Sequence, residues 1–369
     1  MPTTLFLTLK TFSATGGIEK MCRIIGKVLD ENNTTSDTNW LLYSLYDAPV
    51  DAVGNLYFPE KNFRGFATSK FSFLLSVLRK GLQSDTILLS HVNLLPIGWL
   101  VKKVAPGKRL VLLAHGIEIW EPLSAFKKKM LQACDQIIAV SAFTQQKITE
   151  QQGIARNKIT VVNNCLDPLL QPPTADKKNP ALLHRYGCSA SDMVLLTLTR
   201  LAESERHKGY EKVITAMATL QQQDYNNIQY LIAGKYTETE KQYIEQFAQA
   251  NGLKNNVHLT GFIPEQEMAN FFGIADVYVM PSKKEGFGLI FTEAMYHGLP
   301  VIAGNADGSV DALANGKLGI LVNPDSQEEI TDAIKKILND KKTFIPDNNF
   351  LLQQFGFESY KKRLLPLLN

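Results

Sequence analysis

The sequence predicts an α/β protein built from two doubly wound parallel sheets, and three observations carry that expectation. Short, nearly continuous apolar runs alternate along the chain with segments of helical periodicity, the pattern of strands covered on both faces by crossover helices. The alternation lapses once, across 167–181, where Pro168, Pro172, Pro173, Asp176, Lys177, Lys178 and Pro180 give the composition of a linker. A length of 369 residues also exceeds that at which a single hydrophobic core stops growing. Two domains, 1–168 and 169–350, are therefore expected, with a C-terminal segment 351–369 left over.

In the first domain an apolar run at 4–9 passes through Gly16-Gly17 into a helical pattern over 18–29, giving strand, glycine turn and helix. Further strands are predicted at 40–46, 86–89, 109–113, 136–140 and 158–162. The second alternation places strands at 193–199, 228–233, 257–259, 277–280, 300–303 and 319–322, with helices such as 211–223 and 328–338 between them. Residues 358–368 read as a short basic amphipathic helix that crosses back onto the first domain. Ligands of open parallel sheets bind beyond the strand C-terminal ends, so the cleft expected between the two sets of ends is the place to look, and the loops there are polar and glycine-rich.

Composition excludes several classes. With 45% apolar and 20% charged residues the chain is globular, not disordered. The stretch 86–101 is nearly uncharged but contains His91, Asn93 and Pro96 and is closed by Lys102 and Lys103, which makes it a poor bilayer span. Residues 1–10 lack the parts of a signal peptide, so a cytoplasmic protein is expected. Cys22, Cys134, Cys165 and Cys188 show no CxxC spacing, which argues for reduced thiols and against structural zinc. Charge is uneven: nineteen Lys/Arg against thirteen Asp/Glu up to Asp167, a net +6, and twenty against twenty-three after it, a net −3. The basic half suits an anionic partner such as a membrane surface or a phosphorylated lipid; nucleic acid is not expected. Lys127, Lys128 and Lys129, in a segment whose apolar members are Leu123, Phe126, Met130 and Leu131, form either a peripheral contact with the inner membrane face or a solvated edge of a core-facing helix.

The segment with the most chemistry is 281–294 (PSKKEGFGLIFTEA), directly after a predicted strand. A helix starting near Gly288 offers free N–H groups and a positive dipole end to a diphosphate, and Gly286 and Gly288 let backbone approach a ligand. Glu285 and Glu293 flank that start, at most about 12 Å apart at 1.5 Å per residue, the span from a sugar to a ribose. The segment does not read GxGxxG, since Gly286-Phe287-Gly288 continues as Leu289-Ile290-Phe291, which weakens a dinucleotide-dependent oxidoreductase. After the strand at 193–199, Arg200 and His207-Lys208-Gly209 put two cations near a helix start, suited to a developing diphosphate charge.

These residues resemble the Glu-x7-Glu motif of retaining GT-B glycosyltransferases, above all family 4. Residues 294–303 (AMYHGLPVIA) and 316–324 (GKLGILVNP) are similar to the segments that follow it there. The resemblance implies a GT-B fold of two Rossmann-like domains facing across a cleft. It also implies metal-independent, retaining transfer of a hexose from a UDP- or GDP-linked donor to a glycan or lipid-linked acceptor, in surface polysaccharide or glycoconjugate synthesis. No cofactor is implied beyond the nucleotide sugar co-substrate. Carried over residue by residue, Glu285 contacts the donor sugar, Glu293 the ribose, and Arg200 and Lys208 the diphosphate. Gly16 and Gly17 resemble the glycine loop over the donor phosphates, and His115 of His115-Gly116 the histidine beside the transferring sugar. Ile263 of Gly261-Phe262-Ile263-Pro264 falls near the base, and Phe287, Gly288 and Leu289 complete the donor-binding set. Thr199 stands where glycine is usual, 203–206 is a charged variant, and 305–311 ends in Gly308-Ser309-Val310-Asp311 where a glutamate is common. A non-catalytic nucleotide-sugar-binding protein is the alternative reading.

Overall fold

The computed structural model describes residues 3–36, 39–175 and 177–368; Asp176 of the predicted linker lies outside them. The chain divides into two compact units, one formed by Met1–Pro168 with Phe357–Asn369, the other by Leu169–Gly356.

The first unit holds a parallel sheet of β1 (Thr3–Thr8), β2 (Asn39–Ser44), β3 (Phe63–Gly65), β4 (Thr86–Leu89), β5 (Arg109–Ala114), β6 (Gln136–Ala139) and β7 (Ile159–Val161). Their order is β3-β2-β1-β4-β5-β6-β7, so the direction of winding reverses between β1 and β4. The second unit repeats the arrangement with β8 (Met193–Leu198), β9 (Ile228–Ala233), β10 (Val257–Gly261), β11 (Val277–Met280), β12 (Val301–Gly304) and β13 (Ile320–Val322), ordered β10-β9-β8-β11-β12-β13. Its reversal lies between β8 and β11, where Val277 and Tyr278 pair with Leu195 and Leu196. Each unit is thus a doubly wound parallel sheet.

The central strands lack in/out alternation because both faces are covered. Leu5, Phe6 and Leu7 of β1 are completely buried, as are Val277, Tyr278 and Val279 of β11. That is why continuous apolar runs located twelve of the strands. The thirteenth, β3, escaped the sequence pattern: Phe63-Arg64-Gly65 carries no apolar run and exists because Leu42, Tyr43 and Ser44 offer it an edge to pair with. The first helix, Gly17–Ser36, also outruns the predicted 18–29, since nothing in its polar second half breaks a helix.

The division expected at 350/351 falls instead at 356/357. Helix Asn348–Phe355 belongs to the second unit, where Phe355 meets the Phe287 ring edge-on at 5.5 Å between centroids. Gly356 ends it: its N–H reaches Leu352 O at 2.8 Å, and a Cβ there would come within 2.4 Å of that oxygen. Helix Phe357–Leu364 belongs to the first unit. It is tied there by Lys361 to Glu31 at 2.7 Å, by the Thr86 hydroxyl donating to Leu368 O at 3.1 Å, and by buried Tyr360.

Among the described residues no helix is long and apolar enough to cross a membrane. Helix Ala125–Gln132 buries Met130 and Leu131 and leaves Phe126 exposed; Lys127 donates to Asn93 Oδ1 at 2.9 Å and Lys128 to Gln151 O at 2.7 Å. The four cysteines are free and buried, and burial pushes the Cys22 and Cys134 thiols up to about 12, which makes them poor nucleophiles.

Candidate functional site

In the second unit, three loops beyond strand C-terminal ends interlock around 281–288. Glycines permit the closeness. A Cβ on Gly304 would lie 2.0 Å from Ser282 O, one on Gly308 2.1 Å from Gly286 O, and one on Gly209, at φ +83, 2.7 Å from Pro281 O. Backbone hydrogen bonds complete the union: Lys283 N–H donates to His207 O at 3.1 Å and Gly308 N–H to Glu285 O at 2.8 Å.

Glu285 is therefore held by both its backbone polar groups, because its own N–H donates to Asp307 Oδ2 at 2.7 Å. Its carboxylate, only 15% exposed, is ion-paired with the Lys208 ammonium from the loop after β8. Arg200, its side chain 82% exposed, pairs with Glu205 Oε1 at 2.7 Å. Gly288, at φ +87, opens helix Leu289–Tyr296, in which Glu293 is buried. The sequence pattern thus put Glu285, Lys208 and Gly288 on one set of loops, and the structure joins the first two directly.

Two predicted donor residues have side chains turned into the core. Ile263 is 5% exposed, while its neighbour Phe262 is 52% exposed with the Lys235 ammonium 5.1 Å from its ring centroid. Phe287 is 2% exposed and packs on Phe355.

Asp307 is the residue that the sequence did not single out. It is buried and accepts from Glu285 N–H and, at 2.9 Å, from Ser309 N–H. Burial pushes its carboxyl up to about 6; those hydrogen bonds oppose the shift and the Glu285 charge adds to it. Protonation below about 6 turns one of the two Asp307 oxygens into a hydroxyl and weakens its acceptance from the N–H groups of Glu285 and Ser309. Turnover is expected to fall on the acid side with a midpoint near that pH, and Asp307→Asn to give a lower but flat profile. An unchanged acid limb in Asp307→Asn would remove this residue from the account. Stability runs the opposite way. Folding raises this carboxyl from its ordinary 3.8, so the stabilisation tied to its protonated form is full below 3.8 and is lost as pH rises through about 6.

The charged loop 203–208 is anchored from behind. Arg206 makes a forked pair with Glu240, Nε to Oε1 at 3.0 Å and Nη2 to Oε2 at 3.0 Å, and lies 3.6 Å from the Tyr243 ring centroid. Glu240 is fully buried and also accepts from Tyr210 Oη at 2.5 Å. Arg206→Met leaves that carboxylate buried without its cation, which is expected to cost about 3 kcal/mol in urea unfolding. A loss below about 1 kcal/mol would show that the pair contributes no more than an ordinary surface pair.

In the first unit, Gly16 and Gly17 are exposed at the start of helix Gly17–Ser36, after β1. The loop before them is fixed by buried Asp47, which accepts from the N–H groups of Thr11, Phe12 and Ser13 at 2.6, 3.3 and 2.9 Å. His115 follows β5, two strands along the same sheet. Its N–H donates to Glu118 Oε1 at 2.6 Å. Its Nε2 is shielded from solvent and has no hydrogen-bond partner among the described residues. Burial, then the nearby His91, lowers its pKa to about 4, so the ring is neutral at physiological pH.

The two doubly wound parallel-sheet units are those of the GT-B fold. Residues 191–347 match the family described as glycosyl transferases group 1, and residues 34–168 match Glycosyltransferase Family 4. The chain belongs to glycosyltransferase family 4.

It is 25% identical over 251 residues to the GDP-mannose-dependent alpha-(1-6)-phosphatidylinositol monomannoside mannosyltransferase of Mycobacterium tuberculosis, across 65% of this chain and 63% of that one. The chain spans 63%, 51% and 47% of the length of three such curated relatives. Among solved structures, Anabaena HepE in complex with UDP and glucose aligns with a TM-score of 0.80 at 20% identity, covering 100% of this chain and 99% of that one. Sucrose-phosphate synthase from Thermosynechococcus elongatus aligns at 0.77 and 19% identity, covering 100% and 98%. At these identities the structural likeness is one of fold.

Proposed function

We propose that the protein transfers a hexose from a UDP- or GDP-linked donor to a glycan or lipid-linked acceptor, with retention and without a metal, in surface polysaccharide or glycoconjugate synthesis. The observation that carries this reading is the Glu285–Lys208 pair, a carboxylate and an ammonium fixed side by side beyond β11 and β8. Glu285 holds hydroxyls of the donor hexose. Lys208, Arg200 and the N–H groups of Leu289 and Ile290 take up the charge of the departing diphosphate, the role a metal plays elsewhere. The bond from the anomeric carbon to the diphosphate oxygen breaks, a bond to the acceptor oxygen forms on the same face, and the leaving phosphate takes the acceptor's proton. Glu293 takes the ribose diol; in the first unit the sequence resemblance gives His115 a sugar hydroxyl and Gly16 and Gly17 a phosphate. The activities of relatives support a nucleotide sugar donor: one is GDP-mannose-dependent, and one fold neighbour was crystallised with UDP-glucose.

A thermal-shift panel of UDP and GDP sugars, followed by a transfer assay on the best binder, tests the proposal. Release of nucleoside diphosphate that depends on an added acceptor is the expected result. Tight binding with no turnover on any acceptor would leave the non-catalytic reading in its place.

A further inference from the structure

We propose that the first unit carries a second anion site, a cavity that takes a phosphate or diphosphate group and is built from residues that the donor chemistry does not use. The cavity has a volume of about 330 Å³, and Tyr43, Arg64, Ser76, Arg79, Lys80 and Gln83 supply its polar lining. Tyr43 of β2 and Arg64 of β3 are register partners, so their side chains leave the same face of the sheet. Helix Lys70–Gly81 brings Ser76, Arg79 and Lys80 to the same space, their three- and four-residue spacings placing them on one side of the helix.

Three cations border this cavity and no carboxylate does. Among the described residues none of Arg64, Arg79 and Lys80 has an ion-pair partner within 4.0 Å, so nothing on the protein neutralises the charge they bring to this space. Like charges gathered around one space repel each other, and a bound anion relieves that repulsion. Arg64 is also preorganised. Its guanidinium carbon lies 4.9 Å from the Phe66 ring centroid and 5.9 Å from that of Tyr43, which orients the planar fork and leaves its N–H edge for a phosphate. Relief of the helix C-terminal dipole accounts for Arg79 and Lys80. It does not account for Arg64, which comes from a strand. Leu75 and Phe71, one turn apart on that helix, are 52% and 73% exposed, so an apolar group attached to the phosphate finds a surface beside it. A phosphorylated lipid headgroup and a soluble diphosphate present the same chemistry here.

Calorimetric titration with inorganic pyrophosphate, and sedimentation with phosphatidylcholine vesicles with and without phosphatidylglycerol, distinguish the two sources. The triple variant Arg64→Gln/Arg79→Gln/Lys80→Gln is expected to lose one pyrophosphate-binding event, or to lose vesicle binding at least tenfold. Lys254→Gln/Lys317→Gln/Lys342→Gln removes the same charge from exposed positions of the second unit and is expected to change neither. Loss of the pyrophosphate event supports the site with a soluble ligand, and loss of the vesicle interaction supports it with a lipid. Both properties unchanged in the triple variant, or an equal loss in the control, overturn the proposal. If circular dichroism shows the triple variant unfolded, Arg64→Gln alone, at an exposed edge-strand position, decides by the same criterion.

Discussion

Replacing Glu285 by alanine is expected to lower transfer by about three orders of magnitude while nucleoside diphosphate binding stays intact. A charged hydrogen bond to the sugar contributes roughly 1.5–3 kcal/mol, and the orientation it imposes on the reacting carbon adds a comparable amount. The ground-state effect has the other sign: with Glu285 gone, Lys208 has no carboxylate partner and its whole charge is available to the diphosphate. Steady-state transfer rates and calorimetric titration with UDP or GDP should therefore separate, the first collapsing and the second unchanged or tighter. Unchanged turnover would refute the assignment of this carboxylate.

Lys208→Met is expected to weaken nucleoside diphosphate binding by about 10- to 100-fold, the value of one charge-assisted contact, and to slow transfer further because the leaving group gains charge as the bond breaks. It also strands Glu285, a largely buried carboxylate, without its cation, so part of the loss is repulsion of the incoming diphosphate. The double variant Lys208→Met/Glu285→Gln should recover some of the lost nucleotide affinity, since that repulsion disappears. Strictly additive effects on binding would mean that the pair does not act on the ligand as a unit.

The strands at 86–89, 228–233 and 277–280 were legible to the residue, because each is a short apolar run that must be buried on both faces. Glu285, Glu293, Arg200 and Lys208 were legible as candidates because the motif segments around them are contiguous in the chain. Asp307 was not, because its function is to accept a backbone N–H 22 residues away, and nothing about an Asp-Gly pair reveals that. The Arg206–Glu240 anchor was hidden for the same reason: its partners are 34 residues apart, and each alone looks like a solvated charge.

The sequence by itself determined the two-unit α/β plan and the short segments that bear chemistry, since both depend on residues that are neighbours along the chain. Only the tertiary structure decided that Glu285 meets Lys208, that Gly209, Gly304 and Gly308 let three loops close on one another, and that the Ile263 and Phe287 side chains turn inward. The physical reason is strand order. β8, β11 and β12 are adjacent in the sheet but separated in the chain by crossovers, so contacts between the loops that follow them are set by backbone pairing across the sheet and leave no periodic trace in the sequence.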